Sequence, residues 1–168
     1  MTAQRSVIVA PGEGDVVLRG GVGGIRKISA ASGGAFSVVE HPLEPGALAA
    51  PPHSHANADE YSFVIEGEIE VLMGEETIRA PAGAYVLKVR GVPHTFWNSG
   101  PEPARVLEII LPAGFEEYFE ELAGILSSTP PGEPPHHARL TEMADRYGTT
   151  FHMQQMPEIM EKHGVQLR

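Results

Sequence analysis

The sequence contains no cysteine among its 168 residues, which excludes disulfides, thiolate nucleophiles, iron–sulfur clusters and cysteine-ligated zinc together. Any metal in this protein is held by nitrogen and oxygen. Positive charge is scarce as well: 12 Lys and Arg stand against 22 Asp and Glu, for a formal net charge of -10. Phosphate backbones and anionic membranes are bound by clustered basic side chains, so neither nucleic acid nor a membrane is expected as a partner. No stretch approaches the ~20 apolar residues that cross a bilayer. The N-terminus shows no basic segment followed by a long apolar run, so a cytoplasmic protein is expected. No segment reads as a helix-turn-helix, which argues against a transcription regulator.

Hydrophobic residues make up 42% of the chain, and 19 Gly and 15 Pro punctuate it throughout. One core of many short strands joined by turns follows from that texture. The pattern divides the chain into an N-terminal β arm over 1–34, a β domain over 35–112 and a helical tail over 113–168. The arm carries β-like pieces at Ser6–Val9 and Asp15–Leu18. Strands are expected over Phe36–His41, Tyr61–Glu66, Glu68–Met73, Glu76–Ala80, Tyr85–Val89, Thr95–Asn98 and Ala104–Leu111. Glu66-Gly67 and Gly74-Glu75 fall where hairpin turns belong.

Beyond Pro112 the period changes. Phe115, Tyr118, Phe119, Leu122, Ile125 and Leu126 recur at helical spacing, with acids on the other face. Ser127–Pro135 reads as a linker, and further short helices are expected around Glu142–Tyr147 and Pro157–His163. No internal repeat is present.

The chemistry gathers in two segments. In the first, His53 and His55 are two residues apart, so on an extended strand both imidazoles point to one face while Ser54 points away. A four-residue spacer then allows the chain to turn and bring Glu60 back at the start of the next strand. The second segment, Gly83 to Asn98, carries a single His94 as a candidate fourth ligand. A lone HxH reads as ordinary loop histidines; Glu60 and His94 are the further donors that a metal site would need. Imidazole with carboxylate suits one divalent transition metal: Fe, Mn, Ni, Co, Zn or Cu. His41, His136, His137, His152 and His163 show no paired spacing that builds a site.

These segments resemble the two motifs of the cupin superfamily, G-x(5)-HxH-x(3,4)-E-x(6)-G and G-x(5)-PxG-x(2)-H-x(3)-N. His53, His55, Glu60 and Gly67 fall on the first, and Gly83, Gly91, His94 and Asn98 on the second. The spacing from Gly46 is one residue long, Val89 stands where the motif has Pro, and Ala84 replaces a common acid. The resemblance implies an all-β fold, a double-stranded β-helix or jelly-roll barrel with short C-terminal α-helices, and a metal held by His53, His55, Glu60 and His94. The three-His-one-Glu set most resembles quercetinase-like dioxygenases. That implies an oxidoreductase acting on a small aromatic or polyketide-like molecule, with Glu60 as catalytic base. A non-catalytic small-ligand binding or sensing module, and a metal-assisted isomerase or cyclase, are the alternatives.

Strand alternation from Glu60 and His94 places Ser62, Val64, Phe96 and Asn98 on the ligands' side as pocket residues. The same count turns Tyr61, Phe63, Ile65 and Trp97 outward, where a helix, the N-terminal arm or a second subunit must cover them. A homodimer with a small-molecule ligand is therefore expected.

Overall fold

The computed structural model describes residues 7–130 and 133–167. The first six residues of the expected arm, and Pro131 and Gly132 of the expected linker, lie outside these. The strands are β1 (Asp15–Leu18), β2 (Gly24–Ile28), β3 (Ser37–Leu43), β4 (Ala47–Leu48), β5 (His53–His55), β6 (Asp59–Glu66) and β7 (Glu68–Met73). They continue with β8 (Glu76–Pro81), β9 (Tyr85–Lys88), β10 (His94–Trp97), β11 (Ala104–Leu111), β12 (Thr149–Phe151) and β13 (Gln166–Leu167). The helices are α1 (Glu116–Ser127), α2 (His137–Arg146) and α3 (Met156–His163). Among the described residues no helix is long and apolar enough to cross a membrane.

Two sheets face each other in a jelly-roll-like arrangement. One runs β1-β2-β3-β11-β6-β9; in the other, β10 pairs with β7, β5 and β4, while β8, β12 and β13 extend it. Alternation drives the arrangement: along β11 every second residue, Ala104, Val106, Glu108 and Ile110, is buried. The core between the sheets includes Leu43, Val64, Ile69, Val71, Phe96 and Val106. The hairpin between β6 and β7 turns at Gly67, whose φ is +75°, and a Cβ there would meet Pro103 O at 2.8 Å and Ala104 Cα at 2.9 Å. Glycine is required at that position for its backbone and for its lack of a side chain.

The chain's ends join the sheets. The expected arm supplies β1 and β2, although Val7–Val9 form no strand. The tail supplies β12, paired with β5, and β13, parallel to β4. These two strands are too short to announce themselves by alternation. Helix α1 lays Phe115, Tyr118 and Ile125 against Val39 and Ile110. Helix α3 lays Ile159, followed by Val165, over Leu48, Leu72 and Trp97. Trp97, expected to face outward under some cover, is thus fully buried beneath the tail. Tyr61 remains 45% exposed, and Tyr85, paired with Phe63, 82%.

Candidate metal centre

The register of the strands assembles the site. His94 on β10 pairs directly with His53 on β5, and His55 lies two residues along the same strand. The ligand atoms of His53, His55 and His94 all lie within 4.8 Å of one another. Each Nδ1 has a partner: Pro51 O at 2.8 Å for His53, Val92 O at 2.9 Å for His94, and Thr149 Oγ1 at 3.4 Å for His55. A carbonyl only accepts, so His53 and His94 carry their proton on Nδ1 and turn the Nε2 lone pair inward. His55 Nε2 and His94 Nε2 are buried and make no hydrogen bond among the described residues, a state that a cation resolves. Burial first, and then His94 and His55, push the His53 imidazole down to about 3, keeping it neutral as a ligand must be. The three histidines fit a single divalent transition metal ion.

Glu60 borders this triad. Its Oε1 lies 3.2 Å from His55 Nε2 and its Oε2 lies 3.3 Å from His94 Nε2, without hydrogen-bond geometry at either nitrogen. Glu60 pairs across the β6–β9 ladder with Lys88, whose ammonium is 2.9 Å from Glu60 Oε2. Burial pushes the Glu60 carboxyl up, but Lys88 and the imidazoles outweigh it and hold the group well below the usual carboxylate range.

Behind Glu60 runs a buried polar chain. Lys88 Nζ donates to Glu108, which also accepts from Ser62 Oγ at 3.0 Å and lies 3.2 Å from His41 Nε2. Burial and the nearby Glu60 raise the Glu108 carboxyl, yet Lys88 and His41 bring it down to about 2. Lys88 loses stability of its charge to burial, and its two carboxylates more than restore it, so its pKa is raised. The ammonium also lies 4.9 Å from the centroid of Phe96.

These groups line a cavity of about 60 Å³. His53, Glu60, Lys88, His41 and Glu108 supply its polar wall, and Phe96 with Phe115, Tyr118 and Phe119 an aromatic one. Thr149 and Phe151 of β12 complete it. Of the pocket residues expected from alternation, Phe96 lies in this wall. Ser62, Val64 and Asn98 are not among the lining residues: Ser62 serves Glu108, and Val64 belongs to the core between the sheets. The Asn98 amide donates to Leu43 O and Glu102 O and accepts from the Gly100 N–H. An inward strand position reaches the interior, but only some of the interior is open.

The sequence reading passed over His41, Lys88, Glu108, Thr149 and Phe151. Three of these left a trace: His41, Lys88 and Glu108 share the inward phase of their strands with Val39, Val86 and Val106. A charged or imidazole side chain in that phase signals a buried polar site. His41, whose spacing builds no site with another histidine, stands beside Glu108 on the cavity wall.

Residues 39–110 match the family model described as Cupin domain. No functionally curated protein matches the chain. Among solved structures, a sugar phosphate isomerase of the cupin superfamily from Silicibacter pomeroyi shares 28% identity at a TM-score of 0.50, covering 54% of this chain and 59% of its own. The match thus spans about three fifths of that isomerase. An uncharacterized conserved protein with a double-stranded β-helix domain from Klebsiella pneumoniae shares 24% identity at a TM-score of 0.51, over 58% of this chain and 85% of its own. Bacillus subtilis oxalate decarboxylase, described with Mn(II) centers, shares 20% identity at a TM-score of 0.53, over 59% of this chain and 28% of its own. The last two likenesses concern the fold alone.

Proposed function

We propose, from the premise that this chain belongs to the cupin superfamily, that it is a metal-assisted isomerase acting on a small hydroxy-carbonyl compound. The observation that carries this reading is the Glu60 carboxylate, held ionised at the cavity wall within 3.3 Å of two metal-facing imidazole nitrogens. Isomerisation of such a compound moves one proton between adjacent carbons and a second from the hydroxyl oxygen to the former carbonyl oxygen, and consumes neither oxygen nor a redox partner. Glu60 is offered both roles assigned to it from the sequence, fourth ligand and base; as base it takes a proton from one carbon, exchanges it with solvent and delivers a proton to the next. Lys88 keeps that carboxylate oriented toward the cavity. A divalent ion held by His53, His55, His94 and Glu60 supplies Lewis-acid polarisation of the carbonyl oxygen.

The size of the cavity supports a small substrate. Its volume of about 60 Å³ is well below the ~150 Å³ of a cavity that accepts benzene. The Silicibacter neighbour named a sugar phosphate isomerase supports the reaction class. A second reading, the quercetinase-like dioxygenase, rests on the aromatic wall of Phe96, Phe115 and Phe119.

The deciding experiment incubates metal-loaded protein in deuterated water with a panel of small hydroxyaldehydes and hydroxyketones, and follows the products by NMR. Solvent deuterium at the carbon next to the carbonyl, at equal rates with and without air, is the expected result. Oxygen consumption with flavonols and no deuterium incorporation replaces the isomerase by the dioxygenase. Binding without turnover of any compound leaves a ligand-sensing protein.

The proposal includes a cytoplasmic homodimer. Of the covers expected for the outward apolar row, α1 lies against Val39 and Ile110, and α3 covers Trp97. Tyr61 and Leu87, paired across the β6–β9 ladder, are left 45% and 47% exposed, a face for a second copy of this chain.

A further inference from the structure

Two of the three metal-facing histidines are oriented by their own strand, and the third is not. His53 and His94 each donate Nδ1–H to the carbonyl two residues earlier, Pro51 O and Val92 O. His55 instead meets the hydroxyl of Thr149, 94 residues further along the chain. With Nε2 turned to an ion, His55 Nδ1–H is the donor and Thr149 Oγ1 the acceptor.

Thr149 is held there by its backbone. Strand β12 pairs antiparallel with β5, setting Thr149 opposite His55 and Phe151 opposite His53. Bonds beyond both ends close the pairing: Ala56 N–H donates to Gly148 O at 2.8 Å, and His152 N–H to Pro52 O at 2.7 Å. Gly148 has a φ of +65°, a left-handed conformation that favours glycine, and it faces the Asn57 side-chain amide at the start of this pairing. Strand β12 also lies outside residues 39–110, the span shared with the family model. The support of His55 therefore comes from the C-terminal tail, outside the matched span.

We propose that Thr149 is a positioning residue of the metal centre, which fixes the rotation of His55 and accepts its Nδ1–H when Nε2 faces an ion, and thereby couples metal binding to docking of β12 on β5. The coupling is reciprocal: an ion on His55 Nε2 strengthens the Nδ1–H···Oγ1 bond, and a docked strand strengthens the grip on the ion. The inference rests on the histidine triad and not on the isomerase reading, and no readout below depends on turnover.

The test compares Thr149→Val, which keeps shape and strand preference but removes the acceptor, with Thr149→Ser, which keeps the hydroxyl. Affinity for Zn(II) is measured by competition with a chromophoric chelator. Amide hydrogen exchange across β12 is measured on the wild-type chain with and without Zn(II). T149V is expected to bind Zn(II) at least about tenfold more weakly, the lower end for loss of an outer partner of a ligating histidine, and T149S within about threefold of wild type. Zn(II) is expected to slow exchange at the β12 amides. Equal Zn(II) affinity of T149V and wild type overturns the proposal, as does a T149S as weak as T149V. Should T149V fail to fold, the wild-type measurement decides: β12 amides that exchange equally fast with and without Zn(II) overturn the coupling.

Discussion

The Lys88 ammonium lies 2.9 Å from Glu60 Oε2 and donates on its other side to Glu108, with 1% of its side chain exposed. The pairing follows from the ladder, in which Glu60 and Lys88 stand opposite one another on β6 and β9 and both point inward. Two carboxylates share one cation, so removing that cation strands two buried negative charges. Lys88→Met is expected to destabilise the metal-free protein by about 3–5 kcal/mol, the range for a buried pair broken on one side. The double variant Lys88→Met, Glu108→Gln recovers part of the loss. Urea denaturation followed by circular dichroism measures both, and a Lys88→Met chain as stable as wild type contradicts the pairing.

Loss of a metal-facing imidazole has a different signature. His94→Ala removes a nitrogen without stranding a charge, so the fold persists while Co(II) binding weakens by more than the ~10–100-fold typical of outer partners. Glu60→Gln separates ligand from base: it is expected to weaken Co(II) binding and to abolish deuterium incorporation. Titrating Co(II) by its visible absorption checks the binding arm, and a Glu60→Gln variant with wild-type affinity removes Glu60 from the ligand set.

Acid should loosen the tail. Glu70 accepts from Trp97 Nε1 at 2.8 Å and Ser99 Oγ at 2.7 Å, and meets His163 Nδ1 of α3 at 3.0 Å. Burial raises the Glu70 carboxyl, but these partners outweigh it and hold it below the ordinary value of 4.5. A carboxylate depressed in the folded state stabilises fully above its unfolded value, and that contribution is lost as pH falls through the folded one. The window therefore opens below 4.5. Trp97 is the single tryptophan of the chain, so its fluorescence is expected to hold steady at neutral pH and to change in acid as α3 lifts. Glu70→Gln should show the loosened signal already at neutral pH; an unchanged acid titration in that variant counts against the Glu70 latch.

The proposed dimer face has its own test. Tyr85, 82% exposed, lies beside Phe63 with ring centroids 4.7 Å apart. Tyr85→Lys places a hydrated charge in the middle of the apolar face and is expected to convert a dimer to a folded monomer in light scattering. A wild-type chain that is already monomeric at high concentration rejects the dimer.

From the sequence alone came the elements whose information is local. The i, i+2 spacing sets His53 and His55 on one face, and the strands Glu68–Met73 and Ala104–Leu111 coincide with β7 and β11. The amphipathic run after Pro112 became α1, one residue later than read. Three of the four expected ligands form the triad, with Glu60 at its border. Side-chain period sets the face a residue occupies, and that much a single strand contains.

Which strands become neighbours is a different kind of information, and only the tertiary structure decided it. Glu108 meets Lys88, Ser62 and His41 because β11 lies between β3 and β6, with β9 beyond; nothing within β11 specifies those partners. Thr149 reaches His55 across 94 residues through a strand of three residues, too short for any pattern. Asn98 and Ser62 show the converse, inward by phase yet spent on backbone and on Glu108. Local sterics and hydrophobic alternation act within a few residues, whereas the cavity and its buried charges arise from pairings that exist only once the chain has closed on itself.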